Sequence, residues 1–329
     1  MPGALCRFTN RVLGQLLQVK SIRMGVRKSV FASKPERLAY EHLSRTWGDK
    51  YRIYHNLPFL NVFDTSELID FSNWELKKIE LDQIDLSRLK KTSIDFTLCD
   101  DADRPLLCIE FDGLADGYNV GNKYHTELPE SPWRKIIMNL KLKVAHGSLF
   151  PFVVLGTPQF DKISKRVEVA IVDGIIGDIL AKKAVTERIS KGFTAEEAGI
   201  SQEEFDELAP SQQHELIQDW VFGIEIEADF EHNPIYRVCA DLQKELGVHS
   251  FRVEWTEYPN ADRAKNVKER AALLNRALLH GSKVTVEHPE LGSSSATVML
   301  PNFKTYGVSA LTLSQELAHL IALDRLKDK

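Results

Sequence analysis

The feature that most constrains the fold is a pair of short apolar segments, residues 93–99 and 105–111, which flank an acidic turn. The turn at 100–105 reads Asp-Asp-Ala-Asp-Arg-Pro, a composition typical of tight connections between strands. Both segments have the length of ordinary β-strands. The sequence therefore predicts two neighbouring strands that pair through this turn.

Three carboxylates lie on these two strands. Asp95 belongs to the first strand, and Glu110 and Asp112 are two residues apart on the second. Because side chains alternate along a strand, Glu110 and Asp112 point to one face and Phe111 points to the other. Pairing of the strands brings Asp95 beside them, and three converging carboxylates repel one another unless a divalent cation neutralises them. The sequence therefore predicts a metal site for Mg²⁺, or Mn²⁺, with Asp95, Glu110 and Asp112 as ligands.

The surrounding segments predict a mixed α/β sheet. A capping box, Ser33-Lys-Pro-Glu36, begins a helix that ends before Gly48, and a strand follows at 51–57. After the two acidic strands come a glycine-rich loop, a helix at 132–146 and a continuous apolar strand at 149–155. The expected fold class is α/β, with a mixed central sheet flanked by helices. The predicted buried stripe of the second helix comprises Trp133, Ile136, Ile137, Leu140 and Val144.

One lysine of this second helix is predicted to face the sheet. At 100° per residue, Lys141 lies about 40° from Ile137 and about 60° from Val144, at the edge of the buried stripe. Lys135 lies about 160° and Lys143 about 120° from Ile137, both toward solvent. A lysine at the edge of a stripe can extend its ammonium group toward a carboxylate cluster. Lys141 is therefore the candidate catalytic lysine.

Residues 160–329 are predicted to form an α+β region with a role in recognition or partner binding. The segment 192–236 has twelve acidic residues and no Lys or Arg, and we interpret it as solvated surface, as a face that repels nucleic acid, or as an autoinhibitory mimic. Glu225, Glu227 and Asp229 alternate with apolar residues and are interpreted as the solvent face of an edge strand. The predicted elements are helices at 167–189, 262–280 and 311–326, strands at 221–230 and 283–288, and a turn at 292–295.

Composition narrows the classes of protein. At 329 residues the chain can hold two domains, and its 43% hydrophobic and 27% charged residues are typical of a soluble globular protein. The net charge of −5 gives no global signature of nucleic-acid binding, which requires only a local basic surface. No apolar run approaches the roughly 20 residues that span a bilayer, and the four scattered cysteines predict reduced thiols in a cytoplasmic protein.

An insertion or long loop is predicted at 64–92, with a candidate helical turn at 73–79. The first 32 residues are predicted to form a basic N-terminal arm. The arm is rich in Arg and Lys and contains no acidic residue. Three interpretations fit this composition: an organellar transit peptide, an arm that contacts phosphates, and a solvated leading helix.

Asp95, followed by Glu110-Phe-Asp112-Gly113 at the end of an apolar strand, resembles the PD-(D/E)XK nuclease superfamily. The likeness is greatest to its branch related to very-short-patch-repair endonucleases and to bacterial proteins with an Ile-Glu-x-Asp-Gly strand. In that branch the opening helix carries a Ser-x-x-Glu pattern, which makes Glu36 a further candidate catalytic residue. Asp112 stands where the superfamily usually has its lysine. The branch takes its lysine from the following helix, ten residues before a proline, and Lys141 precedes Pro151 by that interval.

The resemblance covers residues 33–156 and implies a restriction-endonuclease-like nuclease domain at 33–159. It implies a Mg²⁺-dependent endonuclease that hydrolyses phosphodiester bonds, with DNA as the favoured nucleic acid and a setting in defence or repair. Two alternatives stay open from the residues alone. One is a nuclease fold that has lost catalysis and serves as a scaffold or nucleic-acid-binding subunit, and the other is a structural α/β protein with an incidental acid cluster.

Overall fold

The computed structural model describes residues 30–65, 69–70, 77–78, 81–113, 117–120, 122–126, 131–164, 167–255, 279–301, 304–305 and 307–329. Residues Pro35–Lys329 form one compact unit. Residues 1–29 of the predicted basic arm lie outside the described residues. No helix in the described part of the chain is both long enough and apolar enough to cross a membrane.

The described residues contain eight helices and thirteen strands. The helices are α1 (Lys34–Trp47), α2 (Gln83–Leu89), α3 (Pro132–Gly147), α4 (Ile171–Ser190), α5 (Gln202–Glu207), α6 (Pro210–His232), α7 (Pro234–Leu246) and α8 (Ala310–Leu326). The strands are β1 (Arg52–Pro58), β2 (Ile69–Asp70), β3 (Lys77–Lys78), β4 (Ser93–Cys99), β5 (Pro105–Asp112), β6 (Tyr118–Val120), β7 (Lys123–His125), β8 (Phe152–Gly156), β9 (Phe251–Trp255), β10 (Leu279–His288), β11 (Gly292–Pro301), β12 (Lys304–Thr305) and β13 (Val308–Ser309). Short 3₁₀ turns cover Phe59–Asn61, Thr157–Phe160 and Ala195–Ala198.

The central sheet has the strand order β1-β4-β5-β8. β4 pairs antiparallel with both β1 and β5, whereas β5 pairs parallel with β8. The predicted hairpin is confirmed, and the Asp100 carboxylate closes its turn by accepting hydrogen bonds from the backbone N–H groups of Ala102 and Arg104. A parallel pair needs a long crossover, and α3 lies within the one between β5 and β8. The mixed α/β class is therefore confirmed.

Helices cover both faces of this sheet because its strands are apolar on both sides. On one face Phe96 and Ile109 share a core with Leu43 of α1 and Ile176 of α4. On the other face Cys108 and Val154 share a core with residues of α3. Strands β4, β5 and β8 therefore read as largely apolar runs, which carboxylates interrupt at Asp95 and at the end of β5, whereas β1 mixes polar and apolar residues.

The buried face of α3 differs from the predicted stripe at its first turn. Trp133 is 56% exposed and Ile136 is 44% exposed, so their assignment to the stripe was wrong. Packing begins one turn later, at Met138, whereas Arg88 of α2 lies over the Trp133 ring at 5.2 Å from its centroid. The predicted burial of Leu140 and Val144 is confirmed.

A buried carboxylate joins α1 to α4. Asp173, with none of its surface exposed, accepts hydrogen bonds from His42 Nε2 at 2.9 Å, Trp47 Nε1 at 2.9 Å and the backbone N–H of Ala170 at 2.8 Å. Three donors offset the cost of removing this carboxylate from water. Packing is thus continuous across residue 159, and the division into domains at 33–159 and 160–329 remains a prediction.

A second, antiparallel sheet has the strand order β11-β10-β9. The inner side chains of β10, Val284 and Val286, share a core with Leu317 and Leu320 of α8. The predicted strand at 283–288 and helix at 311–326 are confirmed. The predicted turn at 292–295 was wrong, because β11 begins at Gly292 and the turn lies at 289–291.

The predicted strand at 221–230 was also wrong, because these residues lie inside α6. The segment alternates polar and apolar residues, but it also places apolar residues four apart, and the buried residues of α6 are Ile224 and Ala228. The helical spacing prevails because it continues the pattern of the preceding turns without a break. Glu225, Glu227 and Asp229 are therefore helix residues and do not form one row on a strand.

Two further predictions fall largely on residues that the structure does not describe. Of the predicted helix at 262–280, residues 262–278 lie outside the described residues, and 279–280 belong to β10. The candidate helical turn at 73–79 is described only at Lys77 and Lys78. These two residues form β3, which pairs with β2, and are not helical. The predicted helix at 167–189 is confirmed by α4.

Candidate active site

The predicted site residues come from four elements of the sheet and its flanking helices. Glu36 lies in the first turn of α1, Asp95 on β4, Glu110 and Asp112 at the end of β5, and Lys141 in the middle of α3. Glu36, Glu110, Asp112 and Lys141 are buried, each with at most 6% of its surface exposed. Buried ionisable side chains are rare unless they are paired, so their partners decide what the cluster can do.

Lys141 and Glu110 form a buried ion pair. Lys141 Nζ lies 2.6 Å from Glu110 Oε1, and it also donates to the backbone carbonyl of Ser93 at 2.6 Å. The prediction that Lys141 turns toward the sheet is confirmed by this contact. The stem of Lys141 packs beside the apolar residues of α3 while its ammonium group reaches the carboxylate.

Asp95 lies next to this pair. Its Oδ2 accepts a hydrogen bond from the backbone N–H of Phe111 at 2.8 Å. Burial raises the pKa of Asp95, and the negative charge of Glu36 acts in the same direction, whereas the Phe111 hydrogen bond and the charges of Lys141 and His55 oppose the rise. Asp95 therefore lies within electrostatic range of Glu36 and Lys141.

Glu110 has the most strongly altered environment of the cluster. Burial raises its pKa to about 7 from 4.5, and the charge of Asp95 adds to the rise, while Lys141 and Arg134 oppose it. Asp95 and Glu110 are therefore two carboxylates with raised pKa values in a largely buried setting, where their negative charge is incompletely neutralised. Such a pair favours a cation, and a pKa near 7 also suits a group that exchanges protons.

Asp112 has partners of its own. Its Oδ1 accepts a hydrogen bond from Arg134 Nη2 at 2.8 Å, and its Oδ2 accepts one from the hydroxyl of Tyr124. A Cβ atom at position 117 would collide with both Asp112 Oδ2 and the Tyr124 ring, so the close approach of the backbone here requires Gly117. The role of Asp112 as a metal ligand remains a prediction, and its side chain is held by the protein through both oxygens.

Within the described ranges, no group of three His, Cys, Asp or Glu side chains is arranged to hold a metal ion. The donor chemistry of Asp95 and Glu110 nevertheless fits Mg²⁺ or Mn²⁺. Mg²⁺ in proteins is commonly bound by one or two carboxylates together with water and substrate phosphates, and it does not need a complete cage of protein ligands. Two carboxylates, those of Asp95 and Glu110, thus fit such an ion, whereas the sequence predicted three ligands.

Sequence reasoning missed His55. Its Nε2 lies 2.8 Å from Glu36 Oε1, and because a carboxylate only accepts, this nitrogen carries the proton. The rings of Tyr40 and Phe96 flank the imidazole at centroid distances of 6.1 Å and 5.7 Å. The next residue, Asn56, has a φ of 58°, an unusual value for a residue other than glycine. No spacing in the sequence links His55 on β1 with Glu36 on α1, so only the fold brings them together.

We compared the chain with models of protein families, with curated proteins and with solved structures, and none of them matches it.

Proposed function

We propose that the chain is a divalent-metal-dependent nuclease with a restriction-endonuclease-like core, and that it hydrolyses phosphodiester bonds in DNA. The observation that carries the proposal is the buried contact between Lys141 and Glu110, beside Asp95 and Glu36. A lysine that reaches a carboxylate cluster from the following helix is what the resemblance to the PD-(D/E)XK superfamily implies. The mixed sheet with helices on both faces supports the same interpretation.

Each residue has a role that its contacts support. Asp95 and Glu110 would hold Mg²⁺ or Mn²⁺, which when bound supplies charge stabilisation at the phosphate and lowers the pKa of bound water. Lys141 provides a fixed positive charge that orients the attacking water and a phosphate oxygen. His55 donates a hydrogen bond to Glu36 and holds the Glu36 carboxylate in position at the site. Asp112 anchors the end of β5 through Arg134 and Tyr124.

Exposed basic residues in and next to α2 and α3 support nucleic acid as the substrate. Arg134 donates to Asp112 at the site while 35% of its side chain remains exposed. Lys90 and Lys91 follow α2 and are exposed, and Lys135 is exposed in the first turn of α3. Local clusters of this kind supply phosphate contacts even in a chain with negative net charge. We include in the proposal a setting in defence or repair, which the resemblance favours, and a cytoplasmic location, which the free thiols of Cys99, Cys108 and Cys239 support.

A second candidate function is a nuclease fold that binds nucleic acid without cleaving it. The observation that favours it is the engagement of both Asp112 oxygens, which leaves the cluster one ligand short of the predicted three. In that case the Lys141–Glu110 pair would serve only to stabilise the core.

The test is cleavage of plasmid and oligonucleotide DNA by the full chain, with Mg²⁺, with Mn²⁺ and with a chelator. We expect metal-dependent cleavage by the wild type and none above background from Glu110→Gln or Asp95→Asn, with binding of the same oligonucleotide retained. Glu203→Gln, an exposed acidic residue of α5 far along the chain, is the matched control and should cleave like the wild type. Equal cleavage by all four proteins would contradict the proposal, and metal-independent binding without cleavage would favour the second candidate.

A further inference from the structure

The second half of the chain contains a cleft that the proposed function does not use. It has a volume of about 490 Å³, within the range of ligand-binding clefts. One wall is a stripe of α6, and the others come from the end of α4 and the 3₁₀ turn at Ala195–Ala198. The stripe consists of residues three or four apart, which share one face of a helix: Leu216, Asp219, Trp220, Gly223, Ile224 and Glu227.

The floor of the cleft is apolar and preorganised. Trp220 packs edge-to-face against Phe193, with ring centroids 5.5 Å apart, and Phe193 in turn packs against Phe205 at 5.2 Å. The indole is therefore held in place by the protein before anything binds. Rigid aromatic side chains of this kind contribute contact area at low entropic cost.

Gly223 keeps the middle of the floor open. A Cβ atom added there would meet no atom within 4 Å, so no packing constraint in the described structure requires glycine. Glycine in the interior of a helix lowers helix stability relative to alanine. The chain thus has a helix-weakening residue within the stripe of α6 that lines the cleft.

The rim of the cleft is acidic. Arg188 is neutralised by its ion pair with Glu197, whereas Asp219 and Glu227 have no ion pair with any residue that the structure describes. The whole segment from 192 to 236 lacks Lys and Arg, so no basic side chain from the same segment compensates these charges. An apolar floor with an uncompensated acidic rim is complementary to cationic side chains on an apolar scaffold, and it repels the phosphates of nucleic acid.

We propose that this cleft is a docking site for a basic, amphipathic segment of a protein partner. Lysine or arginine side chains of the partner pair with Asp219 and Glu227, and an apolar side chain contacts Trp220 over Gly223. The site is separate from the carboxylate cluster, and it gives residues 160–329 a partner-binding role that does not depend on nuclease activity.

The test uses the full chain and a fluorescein-labelled helical peptide of lysine and leucine, with fluorescence anisotropy as the measurement. Gly223→Leu fills the cleft and replaces a poor helix former with a good one, so the protein is expected to stay folded. It should weaken peptide binding about tenfold or more, as should Glu227→Lys. A peptide in which glutamate replaces lysine should not bind.

Two matched controls distinguish docking from general attraction to an acidic surface. Phe222→Ala removes an aromatic residue of α6 that is 63% exposed and outside the cleft, and Glu203→Lys reverses an exposed charge in the same acidic segment. Both should bind the lysine peptide within about twofold of the wild type. The proposal is overturned if the wild type does not bind, or if the controls lose as much affinity as Gly223→Leu.

Discussion

Lys141 Nζ lies 2.6 Å from Glu110 Oε1, and both side chains are almost completely buried. Burial alone would drive the Glu110 carboxyl toward its neutral form, and the ammonium group opposes that shift. The contact therefore keeps a carboxylate available in a part of the sheet from which water is largely excluded. The same contact joins α3 to β5 in the core and holds two residues of the proposed active site together.

The pair should show strong coupling in a double-mutant cycle. Lys141→Met leaves a buried carboxylate without its cation, and we expect it to lower the free energy of unfolding by about 3–5 kcal/mol. Glu110→Gln combined with Lys141→Met removes both charges and should recover part of that loss. Urea denaturation of the four proteins measures the coupling, and additive effects would show that the two side chains do not interact.

Asp112 is expected to act on stability more than on chemistry. Arg134→Met removes one donor to a fully buried carboxylate, so the free energy of unfolding should fall by about 1–3 kcal/mol. Asp112→Asn should reduce metal-dependent cleavage much less than Glu110→Gln does. If Asp112→Asn abolishes cleavage in a protein that remains folded, Asp112 is a metal ligand, as the sequence first predicted.

His55 is expected to position Glu36. His55→Leu removes the donor to Glu36 Oε1 and should lower kcat for DNA cleavage, whereas His55→Gln can still donate and should retain more activity. The measurement is the separate effect on kcat and KM, with thermal unfolding of both variants as the control for folding. Equal kcat values for the leucine and glutamine variants would show that the hydrogen bond does not matter for the reaction.

Stability should fall as pH rises, because of a carboxyl group of α8 that does not belong to the candidate site. Burial raises the pKa of Glu316 to about 7 from 4.5, and it raises the pKa of its neighbour Asp178 as well. Asn233 Nδ2 donates to Asp178 at 2.7 Å and to Glu316 at 3.3 Å. Between about pH 4.5 and about pH 7 the folded state holds more protons than the unfolded state, so unfolding becomes easier as pH rises.

Glu316→Gln removes one of these titrations and preserves an acceptor for Asn233. The variant should be more stable than the wild type above about pH 7, by about 1–2 kcal/mol, and similar to it near pH 4.5. Thermal unfolding across this range measures the difference. A constant difference at every pH would contradict the assignment to Glu316.

The helical angle and the strand alternation were enough to predict that Lys141 and Glu110 face each other, because both are properties of single elements. The partners of Asp112 could not be predicted this way, because Tyr124 and Arg134 belong to other elements with no periodic relation to β5. The contact between His55 and Glu36 was missed for the same reason. The segment 221–230 was misread because it satisfies both strand and helix spacing, and only the continuation from residue 210 decides between them.

The most direct test of the central claim compares two lysines of the same helix. Lys141 is buried against Glu110, whereas Lys143, two residues later, is exposed. Metal-dependent cleavage of plasmid DNA is measured for Lys141→Met and Lys143→Met at a temperature where circular dichroism shows both to be folded. The account predicts that Lys141→Met loses about 100-fold or more in rate while Lys143→Met stays close to the wild type. Equal rates for the two variants would contradict it.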